Sequence, residues 1–183
     1  MYVTKKYIEG GFMINIENLY IDFDEVLFST EDVLFEKYKK LKSQGIEVDK
    51  LNYLQTFDWK DLINRSSSIN DSIEVLKQLK EATILTKVHS MENEASAKIR
   101  KLRELGLKND IIICPFEFKK SEIVDPKGKI LVDDTVHNLD DWHELGGMSI
   151  FFNKNNEDID GWGKLNTKYI KIKSLSQLKD IKF

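Results

Sequence analysis

The chain has 183 residues, 41% hydrophobic and 32% charged, a balance that fits one globular domain with room for a small insertion. Its 28 basic and 31 acidic side chains leave a net charge of -3, which argues against a dedicated binder of nucleic-acid polymers, because such proteins need a basic face to displace counterions. The one cysteine, Cys114, excludes an intramolecular disulfide and a cysteine-based zinc site, and no apolar run approaches the roughly 20 residues of a membrane span.

In chain order, residues 1–13 read as an N-terminal segment, loosely held at Gly10-Gly11 and lacking a signal-peptide core, so a cytoplasmic location is the default expectation. Residues 14–23 (INIENLYIDF) end in an apolar, β-prone run and predict the first strand. Residues 31–44 (EDVLFEKYKKLKSQ) predict an amphipathic helix, and 58–64 part of another. Asn70 or Asp71 can cap a helix running to about residue 81, with Ile73, Val75, Leu76 and Leu79 as its apolar stripe. Residues 82–86 (ATILT), 111–114 (IIIC) and 129–132 (KILV) are short apolar runs suited to a parallel sheet covered on both faces, with Cys114 as a buried strand residue. Between them, Ala95, Ile99, Leu102 and Leu105 recur at helical spacing over 92–105, and Gly106 supplies the stop. Leu139, Trp142 and Leu145 mark a further helix ended by Gly146-Gly147, with Trp142 read as core. Strands at 148–152 and 169–172 and a serine-capped terminal helix over 174–181 complete the series.

Strands alternating with helices of this length predict an α/β protein: a three-layer, Rossmann-like fold with a mainly parallel sheet. The exception is the long stretch between the first strand and residue 82, more than one crossover helix requires. The expected organisation is therefore a core of residues 14–28 and 70–183, with 29–69 as a small helical cap inserted after the first strand. The aromatics of the insertion, Phe35, Tyr38, Tyr53, Phe57 and Trp59, are mostly core on this reading, leaving one or two free to stack on a ligand.

Two apolar strands end in acids. The first delivers Asp22 and Asp24 at its carboxyl end, where open α/β sheets gather their active sites. Strand alternation predicts that both carboxylates lie on one side while Phe23 points away. The second, residues 129–134, ends in Asp133-Asp134. Side by side, the two strands concentrate negative charge at one rim, and oxygen-only ligands favour magnesium as the counter-ion. As ordinary structure, Asp134 or Asn138 serves equally well as the cap of the next helix. Thr86, which ends a strand, and the Lys119-Lys120 pair are weaker signals, able to hold a phosphoryl group or simply to be a turn residue and a solvated pair.

The ordered set Asp22-Phe23-Asp24, Thr86, Lys120 and Asp133-Asp134 resembles the four motifs of the haloacid dehalogenase superfamily over roughly residues 14–153. The phrase KSEIVDPKGKILVDDTVHNLDDW is most similar to the 5'(3')-deoxyribonucleotidases and their bacterial and phage relatives. The resemblance implies a magnesium-dependent phosphatase. Asp22 would be its nucleophile, forming an aspartyl-phosphate, and Asp24 its acid and base. Asp22, the Asp24 carbonyl, Asp134 and Asp133 would hold the metal, while Thr86 and Lys120 would hold the phosphoryl group. It implies a small phosphorylated substrate, a nucleoside monophosphate for preference, and leaves monomer and homodimer open. Lys119 is the rival to Lys120, and Glu25 stands where many relatives carry Gly or Asn. A sugar-phosphate substrate, or a catalytically weak domain that binds a phosphorylated ligand, are the alternatives. His89, close after Thr86, is placed near the pocket; His137 and His143 are read as surface residues.

Overall fold

A computed structural model describes residues 16–47 and 49–181. The N-terminal segment 1–13, and the start of the strand expected over 14–23, lie outside the described residues. The strands are β1 (Leu19–Ile21), β2 (Thr83–Val88), β3 (Ile111–Pro115), β4 (Ile130–Asp133), β5 (Met148–Phe152) and β6 (Ile170–Ile172). They form one sheet in the order β3-β2-β1-β4-β5-β6, and every neighbouring pair is parallel. The strand order reverses at β1, which puts the switch point, and with it the expected crevice, at the carboxyl end of β1.

Successive strand residues are buried on alternate faces and fall into two apolar layers. Leu19 and Ile21 of β1, Ile84 of β2, Ile130 and Val132 of β4 and Phe152 of β5 share one cluster. Tyr20, Leu85, Leu131 and Phe151, the residues between them, share the other with Cys114 and Trp142. A period of two with both faces covered is the signature of a parallel sheet between helical layers.

The helices are α1 (Thr30–Ser43), α2 (Lys50–Thr56), α3 (Trp59–Arg65), α4 (Ser72–Gln78), α5 (Ser96–Glu104), α6 (Lys120–Ile123) and α7 (Val136–Glu144). A π-turn, Met91–Ala95, leads into α5, and the expected serine-capped terminal helix is a 3-10 turn, Leu175–Asp180, with Ser174 as its cap. The stretch between β1 and α4 contains α1, α2 and α3, of which α2, started by Asp49, was not legible in the periodicity. Its buried residues Leu54, Phe57, Trp59, Leu62 and Ile63 belong to the same cluster as Leu19 and Ile84. Phe57 and Trp59 are thus core, whereas Phe35 is exposed.

Several local expectations need correction. β1 is short, because a 3-10 turn, Ile16–Asn18, precedes it. Asp71 occupies the N-cap position of α4, yet its carboxylate accepts from Ser174 Oγ at 2.6 Å and caps nothing in its own helix. Along the segment 92–105, Ala95 and Leu102 are buried and Leu105 packs against the core as expected, whereas Ile99 is 37% exposed and Glu94, Ala97 and Lys98 are buried beside the stripe. Leu145 lies past the end of α7 and is exposed, while Leu139 and Trp142 are buried as expected.

Candidate active site

The register aligns the acids. Ile21 pairs with Val132, and the Asp22 amide donates to the Val132 carbonyl at 3.0 Å, which sets Asp22 beside Asp133. Oxygens of Asp22, Asp133 and Asp134 lie within 4.8 Å of one another. The side chain of Asp24 is not part of this group. β1 ends at Ile21, and the chain then turns so that the Leu27 and Phe28 amides both donate to the Phe23 carbonyl. Asp24 is held by different partners from Asp22, yet the two carboxylates stay near enough for Asp24 to raise the Asp22 carboxyl.

Lys120, at the start of α6, is 2% exposed and stands between two aspartates, 2.7 Å from Asp22 Oδ1 and 2.6 Å from Asp133 Oδ2. Burial works against its ammonium, but Asp133 and Asp22 outweigh burial and hold it above the usual lysine range. Lys119 points outward instead, to Asp141 at 2.8 Å. The structure thus brings Lys120, and not Lys119, to the acids.

The three acids differ in how fully they are satisfied. Asp133 is saturated: Oδ2 accepts from Lys120, Oδ1 accepts from the Thr135 amide, and Asn138 donates to both. Asp22 Oδ1 is buried with no well-aligned hydrogen-bond donor, although the Lys120 ammonium is near. Burial, together with Asp133 and Asp24, pushes the Asp22 carboxyl up to about 7 despite Lys120. The Asp134 carboxyl is raised as well, by burial first and then by Asp133 and Asp22. Asp134 does not cap α7; the Val136 amide is met from across the fold by Asp160 Oδ2 at 3.0 Å. Two raised carboxyls beside a saturated third, all oxygen donors, are what a hard divalent cation would relieve. The donor set therefore fits magnesium.

Asp24 and Thr86 meet a residue that the sequence reading missed. Lys98 of α5 is fully buried, and its ammonium donates to Asp24 Oδ2 at 2.5 Å, Thr86 Oγ1 at 3.1 Å and the Lys87 carbonyl at 2.9 Å. Glu94 Oε1 lies 2.7 Å away. Thr86 is fully buried, and its own proton goes to the Lys87 carbonyl at 3.3 Å. The periodicity over 92–105 contained the signal, since Glu94 and Lys98 are spaced i,i+4, but a Glu–Lys pair at that spacing reads by default as a solvated helix surface.

Glu25 is not a bare charge. It adopts a left-handed backbone with φ 53°, its Oε1 accepts from the Glu31 amide at 2.9 Å, and its Oε2 pairs with Lys154 at 2.8 Å. Lys154 also reaches Asp32 at 3.1 Å, so it ties the start of α1 to the loop after β5. Burial, then Glu25 and Asp24, push the Glu31 carboxyl up to about 7. His89 lies between two aromatic rings, with centroids 6.2 Å from Trp59 and 4.6 Å from Phe116.

Solved structures supply the comparison. A HAD phosphatase from Thermococcus onnurineus is 14% identical with a TM-score of 0.60, and the match covers 88% of this chain and 95% of that one. The fold is that of the haloacid dehalogenase-like hydrolases. A haloacid dehalogenase-like hydrolase from Streptococcus pneumoniae is 13% identical over 87% of this chain and 95% of its own, at a TM-score of 0.56. The D,D-heptose 1,7-bisphosphate phosphatase of B. bronchiseptica, solved with magnesium and phosphate, is 13% identical over 88% and 95% respectively, at a TM-score of 0.52. No family model and no curated protein sequence matches the chain. Within this haloacid dehalogenase-like fold, the acids and Lys120 stand at the switch point of the sheet.

Proposed function

We propose that this chain is a magnesium-dependent phosphomonoester hydrolase that works through an aspartyl-phosphate on Asp22, with a (deoxy)nucleoside monophosphate as its substrate. The observation that carries the reading is the buried Asp22 carboxylate, lacking an aligned donor, between the Lys120 ammonium and the acids Asp133 and Asp134. A carboxylate so poorly satisfied is held ready for a phosphorus centre and a cation.

Asp22, Asp134 and the Asp24 backbone carbonyl would hold the magnesium, with Asp133 orienting the group through Lys120, Thr135 and Asn138. The ion, when bound, neutralises charge on the phosphoryl oxygens and keeps Asp22 ionised. Asp22 forms a bond to phosphorus as the bond to the leaving oxygen breaks, and Asp24 gives that oxygen its proton. Water then attacks phosphorus and passes its proton to Asp24, and the Asp22–phosphorus bond breaks to release phosphate. Lys120 steadies the transferring group, and the Thr86 hydroxyl assists once it gives up its long bond to Lys87. Residues 29–69 act as the cap, and Phe116, exposed and stacked on His89, offers a ring to a base-bearing substrate.

The test is phosphate release with magnesium from nucleoside monophosphates and sugar phosphates, with EDTA and Asp22→Asn controls. Metal-dependent release from nucleotides, lost in the variant, is expected. Turnover of sugar phosphates alone would retain Asp22 and reject the nucleotide assignment; no release from either would reject the hydrolase.

A further inference from the structure

Lys98 is a fully buried charge that the proposed reaction leaves without a task. A lysine stripped of water persists in a protein interior only where carboxylates and hydrogen bonds replace its hydration. Glu94, one helical turn earlier, supplies such a partner at 2.7 Å, and Glu94 is itself fixed, since its other oxygen accepts from the His89 amide at 2.7 Å. The rings of Phe23 and Trp59 stand 5.3 and 5.9 Å from the Lys98 ammonium and help to keep water away. The ammonium is therefore anchored before Asp24 is considered.

Asp24 lies on the turn after β1, without a sheet partner beyond a single bridge to Phe28. Its carboxylate is gripped at both oxygens, Oδ1 by the Thr30 hydroxyl at 2.8 Å and Oδ2 by Lys98. Two fixed donors leave the side chain one orientation. A proton donor contributes only when its oxygen is held within hydrogen-bond reach of the leaving atom. We propose that Lys98 is the positioning residue of the acid–base carboxylate: anchored by Glu94, it fixes Asp24 in the orientation that delivers the proton to the leaving oxygen. This rests on the phosphatase reading, because it assigns Lys98 a part in that reaction.

The test compares two substrates on the full chain with magnesium. The 4-nitrophenolate of 4-nitrophenyl phosphate departs without a proton, whereas the alkoxide of an alkyl phosphate requires one. The variants are Lys98→Met, Lys98→Met with Glu94→Gln so that no unpaired Glu94 remains, and Lys98→Arg, with Asp24→Asn as reference. Loss of a positioned acid is expected to cut kcat about 10²-fold on the alkyl ester and less than about tenfold on the nitrophenyl ester, with KM held within about threefold. Lys98→Arg, displaced but charged, should show the same selectivity in milder form and serves where the neutral variants fail to fold. In the Asp24→Asn background, Lys98→Met should add little. An equal loss on both esters, or a rise in KM alone, with an active wild type would overturn the Lys98 assignment and leave the phosphatase reading intact. A wild type that releases phosphate from neither ester would overturn both.

Discussion

Among the described residues, two buried lysines reach the carboxyl rim of the sheet. Lys120 enters from α6, and its partners are both strand-end aspartates, Asp22 and Asp133. Lys98 enters from α5, and it divides its charge between Asp24 and Glu94, an acid of its own helical segment. The contrast lies in what each lysine depends on. Lys120 is held only by the acids it serves, so its place and the site's electrostatics are one property. Lys98 is held by Glu94 whatever happens at Asp24, so it can act as a fixed post against which a loop residue is set. Removing one partner of a buried ion pair costs about 3–5 kcal/mol, and both lysines should matter for stability to that order. Their effects on chemistry should differ in kind.

The largest effect tests what the two lysines surround. Asp22→Asn should lower phosphate release by at least about 10⁴-fold, as loss of a nucleophile does, without unfolding the chain; retention of activity would move the nucleophile elsewhere. Lys120→Met should lower kcat by about 10²–10³-fold to a similar degree on alkyl and nitrophenyl phosphates, because Lys120 meets the phosphoryl charge and not the leaving group. If Lys120→Met proves as leaving-group-selective as Lys98→Met, the contrast collapses.

A third prediction concerns the cation. Magnesium should raise the melting temperature of the wild type, and Asp134→Asn should remove that rise while leaving the metal-free melting temperature unchanged or higher, since Asp134 is a burdened acid without metal. A fourth concerns Glu31, whose carboxyl is pushed from the ordinary 4.5 up to about 7 by burial and by Glu25 and Asp24. The folded state holds this proton more tightly than the unfolded one, so the associated stability is full below the unfolded value and is lost as pH rises through the folded one. Glu31→Gln should therefore stabilise the metal-free protein at pH 8 and change little at pH 4, as thermal denaturation at the two values would show. The smallest effect belongs to Lys119→Ala, which breaks the exposed pair with Asp141 and should leave both the melting temperature and turnover nearly unchanged.

The sheet was legible in outline because buried parallel strands must be continuously apolar, and runs such as IIIC and KILV can hardly be anything else. The acid tips Asp22, Asp133 and Asp134 were legible too, because two apolar strands that both end in acids bring them to one rim once the strands pair. Lys98 was not. A Glu and a Lys four apart on a helix are ordinary on a solvated face, and only packing α5 against Phe23 and Trp59 turns that pair inward. The pairing of Glu25 was not legible for a related reason: its charge is plain in the sequence, but its partner Lys154 lies more than a hundred residues away.

Sequence alone thus determined the elements whose cause is local: strand hydrophobicity, the glycine stop at Gly106 with its φ of 77°, and the acids that end β1 and β4. Tertiary structure decided which charges meet. It gave Asp24 and Asp22 different lysines, brought Lys120 and not Lys119 to the acids, met the α7 terminus with Asp160 and not Asp134, and buried Lys98 against Glu94. The physical reason is that hydrophobic burial follows from each segment's own pattern, whereas the partner of a buried charge is set by where segments distant in the chain come to rest.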